Sequence, residues 1–187
     1  MKREERAYKV CQIAPKDALE IAVIGRSNCG KSSFINCILG SKVAKVAQKP
    51  GATLWLGIHR FCDKVIIDLP GYGYAKTHLE RRIEVSDLVQ GYFQLNRTDL
   101  VIMLVDMRRG IMDVDRYVMR DIAAPIIIIG TKADKKEAVN CENYTFCCSS
   151  LKKNGIEEIR KYIAGLSTDQ DGHLITLRTM KSNSSVN

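Results

Sequence analysis

Residues 20–39 read EIAVIGRSNCGKSSFINCIL. The apolar run EIAVI ends at Gly25, and the helical spacing of Phe34, Ile35, Ile38 and Leu39 begins just after Lys31, so the chain runs strand, glycine loop, helix. Gly25-Arg26-Ser27-Asn28-Cys29-Gly30-Lys31-Ser32 is a complete GxxxxGK[ST] in the place that motif requires. Glycines let the backbone wrap phosphate oxygens with its amides pointing inward, and the helix N-terminus adds positive potential. Lys31 is then placed to reach β and γ phosphates, and the Ser32 hydroxyl to coordinate Mg2+. Asn28, Cys29, Gly30, Lys31, Ser32 and Ser33 are the residues expected around the phosphates.

Downstream, Ser41 to Thr53 is polar, carries a Pro50-Gly51 turn signal, and reads as a long mobile loop. LWLGIHR (54–60) and KVIID (64–68) read as an antiparallel strand pair. The loop LPGYGYAKT precedes a helix from Leu79 to Leu95. LVIMLVD (100–106) and PIIIIGT (125–131) are nearly uninterrupted apolar runs, as expected for parallel strands covered on both faces. Val114, Val118 and Ile122 recur at a spacing of four on the helix between them. YTFCC (144–148) is the last strand, and Ile156, Ile159, Ile163 and Leu166 mark a final amphipathic helix. The expected architecture is α/β: a three-layer P-loop fold whose sheet has six strands, mostly parallel with one antiparallel. Residues 1–17 read as an N-terminal extension, 18–166 as the nucleotide domain and 167–187 as a partly disordered tail.

Composition sets outer limits. With 187 residues, 45% hydrophobic and 27% charged, the chain fits one globular core and excludes global disorder, collagen and coiled coil. No apolar run reaches the roughly 18 residues of a bilayer span, and the start MKREERAYKV has no secretory pattern, so a cytoplasmic protein without membrane contact is expected. The net charge of +8 favours a polyanionic partner. Seven scattered cysteines lack CxxC spacing and read as reduced thiols, and His59, His78 and His173 suggest no metal cluster.

Asp68-Leu69-Pro70-Gly71 closes the KVIID strand, where an acid can hold the Mg2+ shell and a glycine amide can sense a γ phosphate. Thr53, between the glycine loop and this DxxG, is the candidate second Mg2+ hydroxyl. Thr131-Lys132-Ala133-Asp134 follows the PIIIIG strand. A carboxylate there can accept from N1 and the exocyclic amine of guanine while the Lys132 stem covers the ring; adenine would leave Asp134 unpaired. Ser149 and Ser150 close the last strand, where backbone amides can meet the guanine carbonyl. The nucleotide expected is therefore GTP or GDP, with Lys31, Thr53 and Gly71 acting on the reacting end.

GRSNCGKSS, DLPGYGYA, TKAD and SSLKKNGIEEI together resemble the EngB (YihA/YsxC) GTP-binding proteins, among the translation-factor-related GTPases, over residues 18–166. The resemblance implies small-GTPase topology and GTP hydrolysis coupled to large ribosomal subunit assembly. It assigns Gly30, Lys31, Ser32, Thr53, Asp68, Gly71, Thr131, Lys132, Asp134 and Ser150 to the roles above. The chain departs from the family in three places. Pro50-Gly51-Ala52-Thr53-Leu54 stands where PGRTQ is usual, the connection over 135–148 is short, and Cys29 replaces valine. Tyr72 follows the DxxG where Ras-like enzymes carry a water-orienting glutamine, so slow unaided hydrolysis is expected. Asn28 matches the asparagine with which related GTPases hold K+ beside the phosphates; capping of the loop is the other reading.

Two further readings stand beside an assembly GTPase acting as a monomer on ribosomal RNA and protein. One is a signalling-type switch for effector proteins, against which the last cysteine is Cys148, far from Asn187, leaving no prenyl anchor expected. The other is a scaffold that binds nucleotide without turnover. Lys42, Lys45, Lys49 and Arg60, then Lys76, Arg81 and Arg82, then Arg108 and Arg109 cluster near the nucleotide-sensing loops, as an RNA-facing surface requires.

Overall fold

In the computed structural model, which describes residues 5–44, 55–73, 79–135, 141–169 and 174–176, the chain alternates strands and helices. The strands are β1 (Glu5–Ala7), β2 (Leu19–Gly25), β3 (Leu56–Phe61), β4 (Lys64–Asp68), β5 (Leu100–Asp106), β6 (Ile126–Thr131), β7 (Phe146–Cys147), β8 (Leu166–Thr168) and β9 (Leu174–Thr176). The helices are α1 (Lys31–Leu39), α2 (Leu79–Gln94), α3 (Asp113–Arg120) and α4 (Ile156–Ala164).

Strand residues point alternately to opposite faces, so each inner strand supplies two cores. Ile21, Val23, Ile102 and Leu104 pack with Phe34, Ile35 and Ile38 of α1 and with Ile156, Ile159 and Ile163 of α4. Ala22, Ile24, Val101, Met103 and Val105 pack on the other side with Leu88 and Tyr92 of α2 and Val118 of α3. The result is the expected three-layer sandwich, a mostly parallel sheet between two helical layers.

The sheet has seven strands in the order β1-β3-β4-β2-β5-β6-β7, one more than the sequence predicts. The extra strand is Glu5–Ala7, which pairs antiparallel with β3 through Glu5↔Ile58 and Ala7↔Leu56. It covers what would otherwise be an open edge, and three residues reading ERA carry too little alternation to announce a strand. β3 is antiparallel to both its neighbours, β1 and β4, so it alone runs against the rest. Leu166 differs from expectation as well. α4 stops at Ala164, the Gly165 amide closes it by donating to the Lys161 carbonyl at 3.0 Å, and Leu166 enters β8, paired with β9. Its side chain still reaches the α1/α4 core, which is why it fitted the helical spacing.

Thr53, the Pro50-Gly51 turn, Lys45, Lys49 and Lys76 lie outside the described residues. At the near end of the first loop, the Asn36 side chain accepts from the amides of Val43 and Ala44 at 2.9 and 2.8 Å and donates to the Ala44 carbonyl at 2.9 Å. In the short connection after Asp134, Cys141–Asn143 form a single 3-10 turn.

Candidate nucleotide site

Strand register brings the motifs to one edge of the sheet. Val23 is paired with Asp68, Gly25 with Leu104, Asp106 with Thr131 and Gly130 with Cys147, so the carboxyl ends of β4, β2, β5, β6 and β7 open side by side. In open parallel sheets this crevice is where ligands bind.

The loop between β2 and α1 turns through left-handed conformations at Asn28 (φ 63°) and Gly30 (φ 103°). α1 then starts with the Phe34 amide donating to the Gly30 carbonyl at 2.9 Å. Lys31, Ser32 and Ser33 form its first turn and are half-buried, while Asn28 is exposed at the rim. Cys29 points inward and is 3% exposed; burial pushes its thiol up to about 11, so it packs as a small apolar group.

Asp68 ends β4 opposite this loop, and the Lys31 ammonium makes an ion pair with its carboxylate, both side chains being largely buried. Gly71 lies directly on the glycine loop. A Cβ there would stand 3.3 Å from Ser27 N, Cα and Oγ, so any side chain would press on the loop and make it give by a few tenths of an ångström. One residue on, the Tyr72 carbonyl accepts from the Ser27 amide at 3.0 Å and from Ser27 Oγ at 3.2 Å, and the Tyr72 amide donates to the Gly25 carbonyl at 3.3 Å. The Tyr72 hydroxyl donates to Asp115 Oδ1 at 2.6 Å, and Asp115 Oδ2 accepts from the Met112 amide at 2.9 Å, capping α3. Burial, with the Asp115 carboxylate beside it, pushes the Tyr72 phenol far above its ordinary value. The residue after the DxxG is thereby tied both to the glycine loop and to α3.

At the other end of the crevice, the Ala133 amide donates to the Cys148 carbonyl at 3.1 Å, joining the TKAD and SSL loops. Asp134 Oδ1 accepts from the Ser149 hydroxyl at 2.5 Å, which holds its carboxyl below the usual range and so favours the ionised form. The Ser149 amide donates to the Asn154 carbonyl at 3.0 Å, so Ser149 serves Asp134 through its side chain while Ser150 follows half-buried at the turn. The turn depends on Gly155 (φ 71°), where a Cβ would fall 2.2 Å from the Cys147 carbonyl oxygen. Gly155→Ala is expected to destabilise the fold by about 2 kcal/mol or more through left-handed strain plus this clash. Thermal denaturation checks it, and an unchanged melting temperature counts against so tight a turn.

Thr131 links the two halves: its hydroxyl donates to the Cys29 carbonyl at 2.6 Å, with the Val105 carbonyl 3.1 Å away as the alternative acceptor for the same proton. Lys132, at φ 60°, donates from Nζ to the Asn28 carbonyl at 2.6 Å and to Asp106 Oδ2 at 2.9 Å. Asp106 is the residue of this site that the motifs do not name. Its one signal in sequence is an acid closing an apolar strand, as Asp68 does.

The donors fit Mg2+. A serine hydroxyl on the first turn of α1 and the buried Asp68 carboxylate, which pairs with Lys31 of the same turn, are hard oxygen ligands, few in number, as suits an ion that keeps waters and shares phosphate oxygens. Among the described residues no His, Cys, Asp and Glu group forms a metal cluster of its own, and no disulfide joins the described cysteines. Nor is any helix among them long and apolar enough to cross a membrane.

A family model described as "50S ribosome-binding GTPase" matches residues 20–132, from β2 through Lys132. A probable GTP-binding protein EngB of Petrotoga mobilis is 35% identical over 185 residues, covering 88% of this chain and 94% of that protein. One from Streptococcus pyogenes is 40% identical over 167 residues, covering 77% and 83%. A crystal structure of a probable GTP-binding protein EngB superposes with a TM-score of 0.60 at 24% identity, covering 75% of this chain and 94% of that one, which supports the fold. A glycine loop, a DxxG strand end and a TKAD loop meeting at one sheet edge, in a chain matched to these relatives over most of its length, place it in the EngB family of GTP-binding proteins, as a GTPase that cleaves GTP to GDP and phosphate.

Proposed function

We propose that this GTPase is a slow, nucleotide-gated switch on the large ribosomal subunit during its assembly. The observation that carries the proposal is the tie between Tyr72 and Ser27, through which residues 71–72 rest on the loop that holds phosphate. In this reading Lys31 neutralises the β and γ phosphates, which requires it to exchange or share Asp68. Ser32 and Asp68, joined by Thr53, hold Mg2+, which when bound supplies further charge neutralisation at those phosphates. The Gly71 amide meets the γ phosphate. Asp134 accepts from guanine, with the Lys132 stem across the ring and Thr131 bracing the loop beneath. With Tyr72 committed to Asp115 instead of aimed at an attacking water, unaided turnover is slow. Asn28 is the residue on which K+ stimulation rests, and equal turnover in KCl and NaCl removes it.

Lys42, Arg81, Arg82 and Arg109 are exposed, whereas Arg60 pairs with Asp17 at the end of β3 remote from Asp68 and Arg108 is committed to Asp106; the exposed four and the family description, which names ribosome binding, support an RNA-bearing partner. A γ phosphate that holds Thr53 and Gly71 gives the partner different affinities for the two nucleotide states, the only way a ligand shifts such an equilibrium. Phosphate contacts by basic residues release counterions, so binding weakens steeply with salt. The GTP form is expected to co-sediment with purified large subunits and the GDP form less so. Replacing Lys76, Arg81 and Arg82 together by alanine should lower affinity and flatten the salt slope without changing nucleotide affinity. Equal binding of both nucleotide forms, or of the triple variant, would sink the proposal.

One observation favours a protein effector instead. Leu79, Ile83, Val114 and Tyr117 are exposed apolar side chains lining a groove between α2 and α3, beside Tyr72. Nucleotide-dependent complexes migrating apart from ribosomal subunits in a sucrose gradient would identify that reading.

A further inference from the structure

We infer that Asp106 is a positioning residue for the guanine site, setting nucleotide affinity by fixing the Lys132 side chain between β5 and the phosphate loop. Asp106 is the last residue of β5, paired in register with Thr131, and only 7% exposed. Its carboxylate accepts Lys132 Nζ at 2.9 Å on Oδ2. The same carboxylate is gripped by Arg108 through Nη2 at 2.6 Å, Nε at 2.9 Å and the backbone amide at 3.1 Å, which fixes its orientation. Burial works against a charge here, but the hydrogen bonds from Arg108 and Lys132 outweigh it and hold the carboxyl well below the usual range. The anchor is therefore a permanent anion.

A lysine stem has four rotatable carbons and, left alone, samples many rotamers. Here both ends are set. The backbone is left-handed at φ 60°, and the ammonium is held by Asp106 on one side and the Asn28 carbonyl on the other. Between them the stem passes the loop, with Lys132 Cε 3.8 Å from the point where a Gly30 Cβ would stand. A stem pinned in this way is already in place when a purine arrives, and pre-organisation of this kind lowers the ordering cost of binding. Without Asp106, one carbonyl is left to hold a flexible cation.

The inference rests on the reading that Lys132 covers the base, and the test separates the two. Release of a fluorescent GDP is measured from the full chain carrying Asp106→Asn, the more disruptive Asp106→Ala, Lys132→Met, and Asp106→Asn with Lys132→Met. Asp106→Asn is expected to speed release about tenfold, the scale of one hydrogen bond to a charged group, and to raise KM for GTP by a similar factor with little change in kcat. Lys132→Met should do at least as much, and the double variant no more than Lys132→Met alone. A simple loss of packing would not produce that non-additivity. If Lys132→Met speeds release while both Asp106 variants release GDP as the wild type does, or if the two losses add, Asp106 does not act through Lys132. Unchanged release from Lys132→Met overturns the base-site reading itself, and this inference with it.

Discussion

Lys31→Ala is expected to bring GTP turnover below detection while leaving a chain that still folds. A hydrogen bond to a charged group contributes about 1.5–3 kcal/mol, so triphosphate affinity should fall roughly 10- to 150-fold. Loss of a donor aimed at transition-state charge costs about 10²–10³ more in kcat. The structure adds a second consequence that the motif does not state. Lys31 is the ion-pair partner of Asp68, with side-chain exposures of 10% and 6%, so its removal leaves a buried carboxylate without a cation. Breaking a buried pair this way destabilises by up to about 3–5 kcal/mol. Lys31→Ala should therefore melt earlier, and adding Asp68→Asn should recover stability without recovering turnover. Single-turnover hydrolysis at saturating GTP and thermal denaturation read the two effects separately. Normal hydrolysis by Lys31→Ala would remove this lysine from the phosphate site.

Asp134→Asn should move nucleotide preference from guanine toward xanthine. The carboxylate accepts two hydrogen bonds from guanine in the proposed complex, and at about 1.5–3 kcal/mol each their loss weakens GDP by a hundredfold or more. An amide offers the donor that the 2-oxo group of xanthine needs. The Ser149 hydroxyl that now donates to Asp134 can turn to suit the amide, so the loop should keep its shape. Competition of GDP, XDP and ADP for the labelled site reads the outcome. A variant that still prefers guanine, or a wild type that binds ATP as well as GTP, would refute the assignment.

Most of the candidate site is legible in the sequence because its motifs are local. The glycine loop, Asp68 to Gly71 and Thr131 to Asp134 each sit within a few residues of a recognisable strand end, and the apolar runs of β2, β5 and β6 are long enough to place those strands in the interior. What escapes is built across the chain. Asp106 and Lys132 are separated by 26 residues and meet only through sheet register. Tyr72 and Asp115, 43 residues apart, meet through the packing of α3. β1 escapes for another reason: its three residues are held by the exposed hydrogen-bonding edge of β3, and backbone pairing leaves no trace in side-chain pattern. Leu166 shows that a matching helical spacing fixes which core a residue reaches without fixing the element that carries it there.

The cysteine inside the glycine loop bears on how the protein can be handled and watched. The thiolate is the form that attacks electrophilic reagents, and burial pushes the Cys29 thiol up to about 11, so it stays protonated at neutral pH. Cys148, pushed to about 12, is more inert still. Cys11 and Cys62 are exposed. Maleimide dyes should therefore react at those two positions well before they reach Cys29. The same difference lets mild oxidants reach the exposed thiols before the cysteine of the glycine loop.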